Sequence, residues 1–117
     1  MSSSETVALV TILTVLGAIF VVCGILALAG HLPMNPFVGI RIPSTMMSDA
    51  TWKAGHHAAG PYLIVGGFCA FAGSALALAV PSIGALALTL IPTAAVLVCL
   101  TIAVILASRA ATRASIE

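Results

Sequence analysis

The sequence predicts an all-α integral membrane protein in which three transmembrane helices are joined by one polar insert and one tight turn. Two observations predict this fold class. Of the 117 residues, 62% are hydrophobic and 6% are charged, whereas a soluble domain carries about 25% charged residues. Three apolar runs also reach the length of about 20 residues with which a helix crosses a bilayer. They cover residues 7–29, 61–80 and 83–107 of what we expect to be a single membrane domain, residues 1–117.

The first apolar run, residues 7–29, is expected to remain as a membrane span and not to be a cleaved signal peptide. Its flank, MSSSE, carries no lysine or arginine. The run also exceeds the 7–15 residues that are typical of the apolar core of a signal peptide.

The second and third runs are separated by a short link at Pro81, which predicts an antiparallel hairpin followed by a tail, residues 108–117. In the second run, Gly66, Ala70 and Ser74 are spaced four residues apart and form a strip of small side chains on one helix face. Helices in lipid associate through such close packing. The strip is therefore expected to pack against another helix, either within this chain, in a second copy or in a partner protein.

The basic residues predict the orientation in the membrane. Three spans place the insert, residues 30–60, on the same side as the carboxyl-terminal end. All four cations, Arg41, Lys53, Arg109 and Arg113, fall on that side. By the positive-inside rule that side is cytoplasmic, and the amino terminus lies outside.

The first part of the insert, residues 30–43, contains three prolines and two glycines, so no regular helix is expected there. Its apolar side chains favour a position against the membrane face. Arg41 would either bind lipid phosphate from the interface or anchor the insert through a fixed ion pair or hydrogen bond. Trp52 and Tyr62 occupy positions typical of an interfacial aromatic belt.

The second part of the insert is predicted to form a helix over about 48–59. Ser48 is a suitable N-cap, and Ser48, Trp52 and His56 follow at intervals of four residues along one face. This amphipathic helix is expected to lie in the plane of the interface. The Gly60–Pro61 pair would then permit a bend into the second span.

The insert suggests neither a catalytic nor a metal site. His56 and His57 are adjacent, and neighbouring helical residues point about 100° apart, which does not suit one shared ion. We therefore expect no catalytic residue, no metal and no cofactor, and we expect His56 to orient the insert through a hydrogen bond. The three cysteines lie in apolar runs without metal-ligand spacing. No basic cluster is present that would bind nucleic acid.

The stretch NPFVGIRIPSTMMSDATWKAGHHAAG resembles the signature of the SdpI family of bacterial membrane proteins. The resemblance covers about a third of the chain, namely the insert and the start of the second span. The residues that carry it are Asn35, Gly39, Arg41, Pro43, Thr45, Ser48, Trp52, His56, Gly60 and Gly66 or Gly67.

The resemblance implies a location in the bacterial inner membrane and a non-enzymatic role. The founding member of the family is an immunity protein that protects against a secreted toxic peptide and holds a transcriptional repressor at the membrane. This chain resembles only the carboxyl-terminal module of that longer protein. We therefore expect it to contact membrane lipids and to bind a peptide or protein partner, such as a toxic peptide or a regulator. The alternative is a small accessory subunit of a larger membrane complex, and the sequence does not specify the oligomeric state.

Overall fold

The computed structural model describes residues 1–116 and confirms the predicted fold class. Three long helices, α1 (Ser3–Ala29), α2 (Asp49–Ala79) and α3 (Ala85–Ser115), account for most of the chain. Each is long and apolar enough to cross a membrane. Short 3-10 turns at Thr45–Met47 and Pro81–Ile83 complete the secondary structure of the described residues.

The helices begin earlier or end later than the apolar runs because polar residues extend them. α1 begins at Ser3, where the side-chain oxygen of Ser2 accepts a hydrogen bond from the backbone N–H of Glu5, and the carboxylate of Glu5 accepts one from the backbone N–H of Ser2. This capping box satisfies backbone donors that the first turn leaves unpaired. α3 continues through most of the predicted tail and ends at Ser115.

α2 differs from the prediction at its amino-terminal end. The expected interfacial helix over about 48–59 is the first part of a single helix that continues through Pro61 into the membrane-spanning part. Pro61 removes one backbone hydrogen bond, but Gly60 lies against Leu28 and the Gly24 carbonyl of α1. The predicted interfacial helix is therefore not a separate element, and α2 is one helix from Asp49 to Ala79.

α2 lies between α1 and α3 and supplies most of the close packing in the bundle. The backbones of α1 and α2 approach most closely where glycines face each other. A methyl group on Gly67 would lie 2.8 Å from the carbonyl oxygen of Gly17 and 2.5 Å from the side chain of Val21. Only a residue without a side chain fits this distance, which is the packing mode expected of helices in lipid.

The predicted strip of small residues on α2 is buried within this chain. Gly66 lies beside Phe20 of α1 and Cys99 of α3, and Ala70 belongs to a small apolar cluster between the three helices. The hydroxyl groups of Ser74 and Thr14 are 3.0 Å apart, which adds a polar contact between α2 and α1. The sequence left open whether the strip packs within this chain, against a second copy or against a partner protein. In the structure it packs within this chain.

The insert and the carboxyl-terminal end of α3 meet at one end of the 53 Å long molecule. The hydroxyl groups of Ser44 and Ser108 are 3.5 Å apart. Gly55 is packed between Thr45 and the backbone of Ala107, so that a methyl group on Gly55 would lie 2.8 Å from the Thr45 side chain. The segments that carry the four cations therefore share this end of the bundle.

Candidate functional site

The insert folds around Trp52, which is 1% exposed. Its indole N–H donates a hydrogen bond of 2.9 Å to the carbonyl of Leu32, and its ring stacks on His56 with the ring centroids 4.1 Å apart. Trp52 therefore does not belong to an interfacial aromatic belt, because its ring has no exposure to the headgroups. It ties the beginning of the insert to the first turns of α2.

His56 provides the hydrogen bond that the sequence led us to expect. Its Nε2 accepts a 2.8 Å hydrogen bond from the backbone N–H of Ile40, and its Nδ1 lies 2.8 Å from the carbonyl of Trp52. A backbone N–H can only donate and a carbonyl can only accept. The ring is therefore neutral, with its proton on Nδ1, and both of its nitrogens are occupied by structural hydrogen bonds.

Gly39 lets the chain pass close over the two stacked rings. Its φ of 120° lies in the region that favours glycine. A methyl group here would lie 2.7 Å from Nε2 of His56 and 2.9 Å from the ring of Trp52. Any other residue at this position would displace the backbone that brings the Ile40 N–H to His56.

Two buried threonines connect the 3-10 turn to α2. The hydroxyl group of Thr45 donates to the carbonyl of Ile40 at 2.8 Å, and the hydroxyl oxygen of Thr51 lies 3.1 Å from the carbonyl of Thr45. Thr51 also forms a capping box with Ser48, the N-cap of α2. Thr51 is not among the residues predicted from the sequence, although its position three residues after Ser48 is that of the second member of a capping box.

Asn35 organises the exposed tip of the insert. Its side-chain oxygen accepts hydrogen bonds from the N–H groups of Phe37 and Val38, at 2.9 and 2.7 Å. Its side-chain nitrogen donates to the carbonyls of Pro33 and Val38, at 2.8 and 3.1 Å. The guanidinium group of Arg41 donates to the Asn35 backbone carbonyl, so Arg41 has the fixed hydrogen bond that was one of its two expected roles.

We expect Asn35→Ala to loosen the tip of the insert without unfolding the bundle. Four hydrogen bonds are lost, but the residue is partly exposed and water can replace them, so the free energy of unfolding should fall by only about 1 kcal/mol. Hydrogen exchange at the Phe37 and Val38 amides should accelerate at least tenfold. Asn35→Asp retains the acceptor oxygen and is the matched control, with exchange close to that of the wild type. Unchanged exchange in Asn35→Ala would contradict this assignment.

The remaining residues of the predicted set lie around this core. Gly60 is buried against α1, whereas Pro43 is exposed. Asp49, Lys53 and His57 follow one another at intervals of four residues along α2, and all three are exposed. In the described part of the chain no three His, Cys, Asp or Glu residues are grouped so that they could hold a metal ion.

Every buried polar side-chain atom in residues 1–116 has a hydrogen-bond partner. The insert is therefore a folded cap on one end of the bundle. Two of the groups that hold this cap together, the carbonyl of Leu32 and the N–H of Ile40, could not be predicted from the sequence. Both are backbone groups, so their residue types carry no signal of the bonds they make.

Comparison with known proteins gives a match to a family model. A family model described as the SdpI/YfhL protein family matches residues 31–108, which include the whole insert after Gly30, all of α2 and most of α3. Searches of the curated proteins and of the solved structures give no match.

Proposed function

This chain belongs to the SdpI/YfhL protein family, and on that premise we propose that it is a non-enzymatic membrane protein that binds a peptide or protein partner through its insert. Such binding corresponds to the immunity or signalling role that the family resemblance implies. The proposal rests on one observation, namely that large apolar side chains are exposed on the surface of the folded insert.

The displayed side chains are those of Met46 and Met47, which are 40% and 69% exposed. Both lie on the 3-10 turn that Thr45 and Thr51 hold against the bundle. Methionine is flexible and polarisable and is frequent on surfaces that bind helical or irregular peptides. A fixed turn that presents two methionines at the polar end of a membrane protein is suited to docking a partner.

A binding role also agrees with how the polar side chains of the insert are used. Both ring nitrogens of His56 and the hydroxyl groups of Thr45 and Thr51 are engaged in bonds that hold the insert together. A catalytic base or nucleophile needs a free position next to the substrate. A structural role therefore suits these side chains better than a catalytic one.

We further propose that the insert faces the cytoplasm of a bacterial cell and that the protein lies in the inner membrane. The four cations belong to segments at the same end of the bundle, which is the pattern of the positive-inside rule. The partner would then be a cytoplasmic protein or peptide, or the cytoplasmic part of a membrane protein. Labelling of Met47→Cys by a membrane-impermeant maleimide in intact cells would contradict this orientation.

Quantitative co-purification tests the binding proposal. The wild-type chain, Met47→Glu and the control Ser82→Glu are each isolated from host membranes in a mild detergent, and the recovered proteins are compared by mass spectrometry. Ser82 is an exposed residue of the turn at the opposite end, so the control adds the same charge away from the insert. We expect a partner that is recovered with the wild type and with Ser82→Glu and is reduced at least tenfold with Met47→Glu.

Two outcomes would contradict the proposal. Recovery of the chain alone in several mild detergents would argue against a stable partner. Recovery of the same membrane proteins with all three baits would instead favour the alternative, an accessory subunit held through its helices.

A further inference from the structure

An apolar groove of about 580 Å³ lies along α1 and ends beneath the tip of the insert. α1 contributes residues between Ala18 and Leu26, which cover about 12 Å of the helix. Phe37 and Val38 of the insert also line the groove, and Asn35 adds a polar side chain to the lining. A second apolar cavity of about 320 Å³ also has Phe37 and Val38 among its lining residues.

A cation lies next to this polar lining residue, Asn35. The guanidinium group of Arg41 donates to the backbone carbonyl of Asn35, one of the residues that line the groove. A carbonyl is a neutral acceptor, so this bond orients the guanidinium group without compensating its charge. The group has five N–H donors, and Arg41 is exposed, which leaves donors free for a ligand.

We propose that this groove binds an anionic phospholipid, with one acyl chain along α1 and the phosphate on Arg41. The groove lies within the apolar part of α1, so its occupant must itself be soluble in the membrane. Its volume is within the range of sites that bind small ligands. Arginine and phosphate form strong, charge-assisted hydrogen bonds, and a phospholipid combines that group with an apolar chain. This site is separate from the methionines proposed to bind a partner.

The test is lipid binding by the full-length chain, freed of lipid in detergent and followed by native mass spectrometry. Phosphatidylglycerol and phosphatidylcholine with the same acyl chains are the two probes. We expect a single phosphatidylglycerol to bind more tightly than phosphatidylcholine. Arg41→Gln should weaken phosphatidylglycerol binding about tenfold, as expected for the loss of a charge-assisted hydrogen bond, and Arg41→Lys should restore part of it.

A second variant tests the groove without touching the cation. Val22 lines the groove and is 55% exposed, so Val22→Trp fills the space without disturbing the core and should weaken the binding of both lipids about tenfold, the size of effect that a lost apolar contact gives. The charge control is Arg113→Gln, which removes an exposed cation of α3 and should leave binding unchanged. Three results would each overturn the proposal: equal losses in Arg41→Gln and Arg113→Gln, wild-type binding in Val22→Trp, or displacement of the lipid by inorganic phosphate.

Discussion

Replacement of Trp52 with alanine is expected to lower the free energy of unfolding by about 3–5 kcal/mol, the range for removing a large buried aromatic side chain. The variant loses the hydrogen bond to the Leu32 carbonyl and the stacking on His56, and it leaves a cavity beneath Gly39. The measurement is reversible denaturant unfolding in detergent micelles. Because the indole ties the insert to α2, protease cleavage between residues 31 and 44 should accelerate in the same variant.

One further substitution separates the hydrogen bond of Trp52 from its packing, and another serves as a control. Trp52→Phe retains an aromatic ring but leaves the Leu32 carbonyl unpaired, so a loss of about 1–2 kcal/mol is expected. Met47→Ala is the surface control and should change the free energy of unfolding by less than about 0.5 kcal/mol. If Trp52→Ala were no less stable than Met47→Ala, the insert would not be the folded cap that the structure contains.

The membrane architecture could be predicted because it depends on long apolar runs. The apolar runs at residues 7–29, 61–80 and 83–107 are long enough to cross a bilayer. Side chains of this kind can remain exposed only if the surrounding solvent is lipid. The family could be recognised because the insert contains rare residue types at fixed spacing, and the match over residues 31–108 confirms it. Both features are carried by side-chain identities that can be read directly from the sequence.

The continuity of α2 could not be predicted, because it depends on a neighbour distant in sequence. Gly60 and Pro61 locally favour a break, and the first turns of α2 carry a polar face that is typical of an interfacial helix. In the structure α2 is nevertheless continuous through Pro61, and Gly60 lies against Leu28 of α1. Local patterns do not contain this contact, which depends on how two helices meet.

The chemistry of the insert follows from its position at the end of a membrane bundle. Its proline-rich backbone forms no regular helix, so its N–H and C=O groups lack the internal partners that a helix provides. Where such groups are buried, they are paired within the protein, and Leu32 and Ile40 are both buried. The Ile40 N–H is paired by His56 and the Leu32 carbonyl by Trp52. The histidine, tryptophan and threonines of the insert can therefore be understood as the partners that a buried, irregular segment needs.

His56→Ala is the second variant with a large expected effect. The substitution leaves the buried N–H of Ile40 without an acceptor, removes the stacking partner of Trp52 and opens a cavity. An unpaired buried donor costs about 1–3 kcal/mol and a cavity adds to it, so we expect a loss of about 3 kcal/mol. Denaturant unfolding measures the loss, and hydrogen exchange at the Ile40 amide reports the broken bond directly.

The neighbouring histidine supplies the matched control, because His57 is exposed whereas His56 is buried. His57→Ala should remain within about 0.5 kcal/mol of the wild type. His56→Gln retains a side-chain oxygen that can accept from the Ile40 N–H, so it should recover part of the stability and slow the exchange again. Equal stability of His56→Ala and His57→Ala, with an Ile40 amide that exchanges as in the wild type, would mean that the backbone of the insert is held by something other than His56.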